Sequence, residues 1–115
     1  MTYKKINFVS NLYVETAKKE AEKSSLTMKH GCVIVRNKKI ISKGYNKYDL
    51  HNQFKMYYST HAEIDAISKS KSKFFKNCTM YVIRVRSDGS LTDSKPCPIC
   101  QKVLKKKGIL KIFYS

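Results

Sequence analysis

The sequence predicts an α/β fold, a mixed sheet with helices on both faces, in the order α-β-β-α-β-α-β. Three observations predict it. Residues 7–24 form an amphipathic stretch, two apolar runs flank a short polar turn at 37–39, and strand-like and helix-like segments then alternate to the end of the chain. Because a helix joins the last two strands, they should lie parallel through a right-handed crossover.

In the first segment Val9, Leu12, Tyr13, Ala17 and Ala21 recur at helical spacing between lysines and glutamates. Cys32-Val33-Ile34-Val35, the turn Asn37-Lys38-Lys39 and Ile40-Ile41 leading toward Gly44 read as a β-hairpin. A polar, aromatic loop runs from Tyr45 to Thr60. From His61 to about Lys71, Ala62, Ile64, Ala66 and Ile67 suit a helix packed on a sheet. Cys78 to Val85, rich in β-branched residues, reads as a strand. Ser87 to Ser94 is a turn centred on Asp88-Gly89. Cys97 to Lys107 is a third helix ended by Gly108, and Ile109 to Tyr114 is the last strand.

At 115 residues the chain fits a single domain, 1–115, large enough to bury a core without staples. No apolar run approaches the roughly 20 residues of a membrane span, and Met1 to Ser10 lacks a secretory apolar core. A cytoplasmic, reducing setting is expected, in which four cysteines are better read as metal ligands or buried apolar residues than as disulfides. The formal net charge of +16 fits a polyanionic or phosphorylated partner. Compositional drift is the plainer reading, since 21 of the 24 basic residues are lysines spread along the chain.

Two short segments carry chemistry: His61-Ala62-Glu63 and Pro96-Cys97-Pro98-Ile99-Cys100. Each opens a predicted helix. Cysteines three apart at a helix start project to one side and can reach one ion. If the two helices start side by side, His61 brings a nitrogen to the same point. A His/Cys/Cys set leaves one tetrahedral position for water, which distinguishes catalytic from closed structural zinc. Helix N-termini favour thiolate over thiol. Glu63, two residues past the histidine, can serve as a proton shuttle without being a ligand.

On these residues the chain resembles the cytidine/deoxycytidylate deaminase superfamily, whose signature is H-x-E…P-C-x-x-C, and most of all its His-ligand branch. His30-Gly31-Cys32-Val33-Ile34-Val35 resembles the family's first strand, and Lys43-Gly44-Tyr45-Asn46 its second. The resemblance implies a three-layer α-β-α cytidine deaminase-like fold with a mixed central sheet, truncated here after the fourth strand. It implies one Zn²⁺ per chain on His61, Cys97 and Cys100, with Glu63 catalytic. Asn46 and the backbone N–H of Ala62 are implied as substrate-binding groups. The activity implied is hydrolysis of a C–N bond in a cyclic amidine, cytosine to uracil and ammonia on a nucleoside or nucleotide.

Two departures matter. Residues 86–94 are inserted before Lys95 and Pro96, where relatives run straight into the cysteine motif. The chain also lacks the family's fifth strand, so the last strand is expected to be a sheet edge that homo-oligomerisation could cover.

Plainer roles compete with sharper ones at other positions. Cys32 and Cys78 read as buried small hydrophobes, and His30 as a solvated or capping residue. His51 reads as surface, and Tyr57 and Tyr58 as packing or base-stacking groups. Arg84 and Arg86 are phosphate-binding candidates or exposed strand residues. Lys105 to Lys107 suit a helix C-terminus. Two other functions stay open: a deaminase of single-stranded DNA, RNA or tRNA, favoured by the charge and the aromatic loop, and a non-catalytic zinc-binding module, which would require a fourth protein ligand.

Overall fold

The computed structural model describes residues 1–6, 11–48 and 59–115. Its main sheet contains β1 (Thr2–Lys5), β2 (Lys29–Arg36), β3 (Lys39–Tyr45), β6 (Thr79–Val85), β7 (Leu91–Thr92) and β8 (Lys111–Tyr114). The order is β1-β8-β6-β2-β3, with β7 pairing back onto β6; β4 (Lys47–Tyr48) and β5 (Ser59–Thr60) form a separate small ladder. Three helices complete the described elements: α1 (Leu12–Glu22), α2 (Ala62–Lys69) and α3 (Pro98–Lys107).

β2 and β3 form the expected antiparallel hairpin. Asn37 and Lys38 turn it with φ of 52° and 64°, the positive pair that matches the right-handed twist of the flanking strands. β2 also runs antiparallel to β6, while β6 and β8 are parallel across α3, so the sheet is mixed as expected. The Cys32–Val35 run of β2 is apolar without a break because both its faces are buried. Cys32 and Ile34 join Ala62, Ala66, Leu104 and Ile112 beneath α2 and α3. Val33 and Val35 join Val14, Ala17 and Ala21 beneath α1. Three layers result.

Two glycines let the helices settle directly on the strands. A Cβ at Gly31 would strike Ala17 O of α1, and one at Gly44 would sit 2.6 Å from Ala62 O of α2. The second contact presses the first turn of α2 onto the end of β3 and so fixes where the HAE segment lies. α1 starts at Leu12, later than the periodicity from residue 7 indicates, because Asn11 caps it through a 2.8 Å bond from Val14 N–H to Asn11 Oδ1. Val9 lies outside the described residues.

The last strand is not an edge. β1 pairs with β8 in parallel, Thr2 opposite Lys111 through Lys5 opposite Tyr114, and Ile6 N–H donates to Tyr114 O at 2.6 Å. The N-terminal segment thus supplies the strand that truncation after the fourth strand was expected to leave missing. It also removes the reason to invoke a second copy as cover. β1 itself is a short outer strand with Lys4 and Lys5 exposed, which blunts it against further pairing. The 86–94 insertion is a hairpin: Gly89 turns with φ 86°, Asp88 Oδ1 accepts from Ser90 N–H, and Leu91–Thr92 return along Val85 and Arg84. No helix among the described residues is long and apolar enough to cross a membrane.

Candidate metal centre

His61 and Cys97 are the N-caps of α2 and α3, both in extended backbone, and Pro98 occupies the first turn of α3. The sheet brings the two caps together. His61 Nδ1 lies 3.2 Å from Cys100 Sγ and 3.7 Å from Cys97 Sγ, and the three ligand atoms all fall within 4.8 Å of one another. Tetrahedral zinc with sulfur at ~2.3 Å and nitrogen at ~2.0 Å needs ligand atoms roughly 3.5–3.8 Å apart. The donor set and its spacing therefore fit zinc with little movement, and His61, Cys97 and Cys100 could hold it.

Burial grades across the triad: Cys100 is 2% exposed, Cys97 half-buried and His61 exposed. Burial, then the neighbouring Glu63 carboxyl and Cys97, push the Cys100 thiol well above the ordinary cysteine range. The desolvation of a buried anion outweighs the partial charge of one helix end. Metal binding must displace that proton.

Glu63, 4% exposed, stands beside the triad. Burial raises its carboxyl above the usual range, against the opposing pull of its own backbone N–H and of His61. Its cavity, about 290 Å³, is lined by Leu26, Met28, His30, Asn46, His61, Ala62, Glu63, Ser94, Lys95 and Cys97. All of the expected site residues except Cys100 reach that cavity.

Ala62 is fully buried at the first position of α2, where a helix leaves its N–H without an intrahelical partner. Asn46 faces the cavity, but its Oδ1 accepts from His30 N–H at 2.8 Å and its Nδ2 donates to Met28 O. It is thus a strut for the start of β2, with one amide hydrogen and one lone pair left over.

Several residues acquire roles the sequence reading did not assign. His30 is a cavity wall, not a solvated or capping residue. It shares a strand face with Cys32 and Ile34, and that alternation was the available signal. Burial, then Arg84 and His61, hold its imidazole below the ordinary value. Arg84 lies opposite His30 in the β2–β6 register, whereas Arg86 bonds Thr92 Oγ1 at 3.2 Å in the hairpin. Asp65, buried in α2, accepts from Tyr45 N–H at 3.1 Å and pairs with Lys47 at 3.0 Å and Lys69 at 2.8 Å. Burial raises its carboxyl, and the bonds from Lys69, Lys47 and Tyr45 outweigh that and leave it lowered. Cys32 and Cys78 are core residues, as expected, and neither joins the metal-ligand group. His51, Tyr57 and Tyr58 lie outside the described residues.

The protein-family comparison matches residues 8–115 to the cytidine and deoxycytidylate deaminase zinc-binding region. No curated protein matches. Among solved structures the chain is similar to the apo dCMP deaminase of cyanophage S-TIM5, with 23% identity, TM-score 0.67, and 89% of this chain and 78% of that one covered. It is also similar to the cytidine deaminase of Burkholderia pseudomallei, at 20% identity, TM-score 0.59, and 80% and 71% coverage. A guanine deaminase from Bacillus subtilis aligns at 23% identity, TM-score 0.51, over 75% of this chain and 48% of that one. At such identities the structures establish a cytidine deaminase-like fold and leave the substrate open. The family match spans nearly the whole chain, both metal motifs included, and this protein belongs to the cytidine and deoxycytidylate deaminase family.

Proposed function

We propose that the chain is a zinc-dependent hydrolytic deaminase acting on cytosine in a nucleoside or nucleotide, with uracil and ammonia as products. The observation that carries this reading is the meeting of three ligand atoms and one buried carboxyl at a single small cavity. Zinc held by His61, Cys97 and Cys100 would supply Lewis acidity and a water ionisable near pH ~7.

Glu63 moves the proton. With its affinity raised by burial, the carboxyl can take a proton from the attacking water, hand it to the ring nitrogen and then protonate the departing amine. The Ala62 N–H would donate to the base carbonyl, and Asn46, fixed by Met28 and His30, would contact the nucleoside with its remaining amide hydrogen. The cavity is at the small end of ligand sites and suits a single base.

A polynucleotide substrate keeps one observation in its favour, the +16 charge together with Lys95 on the cavity wall. Ammonia release by the zinc-loaded chain, measured over cytidine, deoxycytidine, their monophosphates, guanine and short single-stranded DNA and RNA, tests both. Turnover confined to oligonucleotides overturns the small-substrate reading, and no turnover on any of them overturns the deaminase reading.

A further inference from the structure

We infer that Ser115 is a positioning residue for the substrate cavity. Through Ser94 it locks the 86–94 hairpin into the cavity wall, so that an insertion outside both metal motifs takes part in binding the base. The inference rests on the reading of this cavity as the deaminase site.

The hairpin returns to the cavity at Ser94, which with the following Lys95 shares its lining with His61, Glu63 and Asn46. Asp93 and Lys95 are exposed while Ser94 is buried, so Ser94 is what ties this stretch down. The ladder behind it is only two pairs long, Arg84 opposite Thr92 and Val85 opposite Leu91. A ladder that short fixes little by itself.

Ser115, buried directly after β8, supplies the rest. Its N–H donates to Ser94 Oγ at 2.9 Å, and its carbonyl accepts from Ser94 N–H at 2.8 Å. Its hydroxyl donates to Thr92 O at 2.6 Å and accepts from Arg84 N–H at 3.0 Å. Ser94 Oγ in turn donates to Val82 O at 2.8 Å, and the two hydroxyl oxygens stand 2.9 Å apart. One residue thereby joins the hairpin's return to β6 and β8. Each hydroxyl has a single hydrogen and both are engaged inside this clasp, so neither serine keeps a donor for substrate. What the clasp does is place the wall.

The metal ligand just beyond is anchored separately. Pro96 O accepts from Gln101 Nε2 at 2.7 Å, and Cys97 O accepts from Gln101 N–H at 2.8 Å, both within the first turns of α3. Loosening the clasp should therefore shift the wall and leave Cys97 in place. A bond that merely supported the fold would not separate the two.

Ser115→Ala deletes the hydroxyl and Ser115→Thr restores it. Steady-state kinetics are measured on zinc-loaded protein with whichever substrate of the ammonia-release survey is turned over fastest. Zinc affinity is read by chelator competition, and amide exchange over residues 84–95 by mass spectrometry. Ser115→Ala should raise KM by about 5–30-fold, the equivalent of one or two lost hydrogen bonds. Its kcat and zinc affinity should stay within about twofold, the pattern of lost binding and not of lost chemistry. Exchange should quicken over 84–95 and not in α2, and Ser115→Thr should bring KM back. A KM for Ser115→Ala within about twofold of the unaltered chain would overturn the role and leave the deaminase reading intact. So would a joint fall in kcat and zinc affinity, which would make the clasp a support of the whole fold. No turnover of any substrate by the unaltered chain overturns the deaminase reading, and the part of Ser115 with it.

Discussion

His61 Nδ1 and Cys100 Sγ meet at 3.2 Å although 39 positions separate them in the chain. The caps of two helices share one point, so a metal bound there cross-links α2 to α3. Zinc should accordingly raise the melting temperature, by mass action on the folded state alone. Stripping it with a chelator should lower the melting point reversibly. Cys100→Ser should abolish both the stoichiometric zinc and the chelator effect, as read by elemental analysis and thermal melts. A Cys100→Ser protein that retains one zinc would remove Cys100 from the ligand set.

Glu63 is predicted to act on protons and not on the metal. Glu63→Gln preserves shape and removes the exchangeable carboxyl, so turnover should fall by about 10²–10⁴-fold. Zinc content should stay at one per chain. Activity within tenfold of the unaltered enzyme would show that another group carries the proton.

The site was legible because its chemistry is local in sequence. His61-Ala62-Glu63 and Cys97 to Cys100 each fit within one helical turn, and helix-start signals placed them. The hairpin of β2 and β3 was legible for the same reason, a turn of Asn37 and Lys38 between apolar runs. β1 was not. Thr2-Tyr3-Lys4-Lys5 is too short and too lysine-rich to show period two, and it becomes a strand only through β8 at the far end of the chain. His30 was misread because a histidine at a strand start is polar in composition, while its place on the Cys32/Ile34 face turns it inward.

Gly44 is predicted to be a positional determinant of the metal site. An added Cβ would stand 2.6 Å from Ala62 O, and the obstacle is backbone, which cannot rotate away. Gly44→Ala should destabilise the fold by about 1–3 kcal/mol through overpacking. It should also weaken zinc, because the first turn of α2 carries His61. Loss of stability with unchanged zinc affinity would show that the helix shifts without moving its cap.

Asp65 gives the fold an acid limit. Its carboxyl is held below the ordinary value near 3.8, so the folded state binds this proton less readily than the unfolded chain does. The stabilisation it contributes is therefore complete above that ordinary value and is lost as pH falls through the lowered folded-state value. Asp65→Asn should cost about 1–3 kcal/mol at pH 7, since Lys47, Lys69 and Tyr45 N–H lose a charged acceptor. The cost should shrink as the pH is taken down through the acid range. Denaturant melts of both proteins from pH 7 to 3 make the comparison, and a difference independent of pH would assign the effect to packing.

β1 should matter for solubility as much as for stability. Removing residues 1–6 uncovers the outer edge of β8, where Lys111 to Tyr114 would present unpaired N–H and C=O groups in a row. That row includes Ile112, fully buried in the intact fold, and Phe113, whose ring stacks on Tyr81 at 4.9 Å. An apolar strand with a free edge recruits another strand. The shortened chain should therefore associate at concentrations where the intact chain does not, seen as a larger mass by light scattering. It should also melt lower, having lost the contacts of Tyr3 and Ile6 with both cores, a loss of about 2–4 kcal/mol. Equal masses for the two chains would mean that Lys111 at the start of β8 guards its edge well enough without β1.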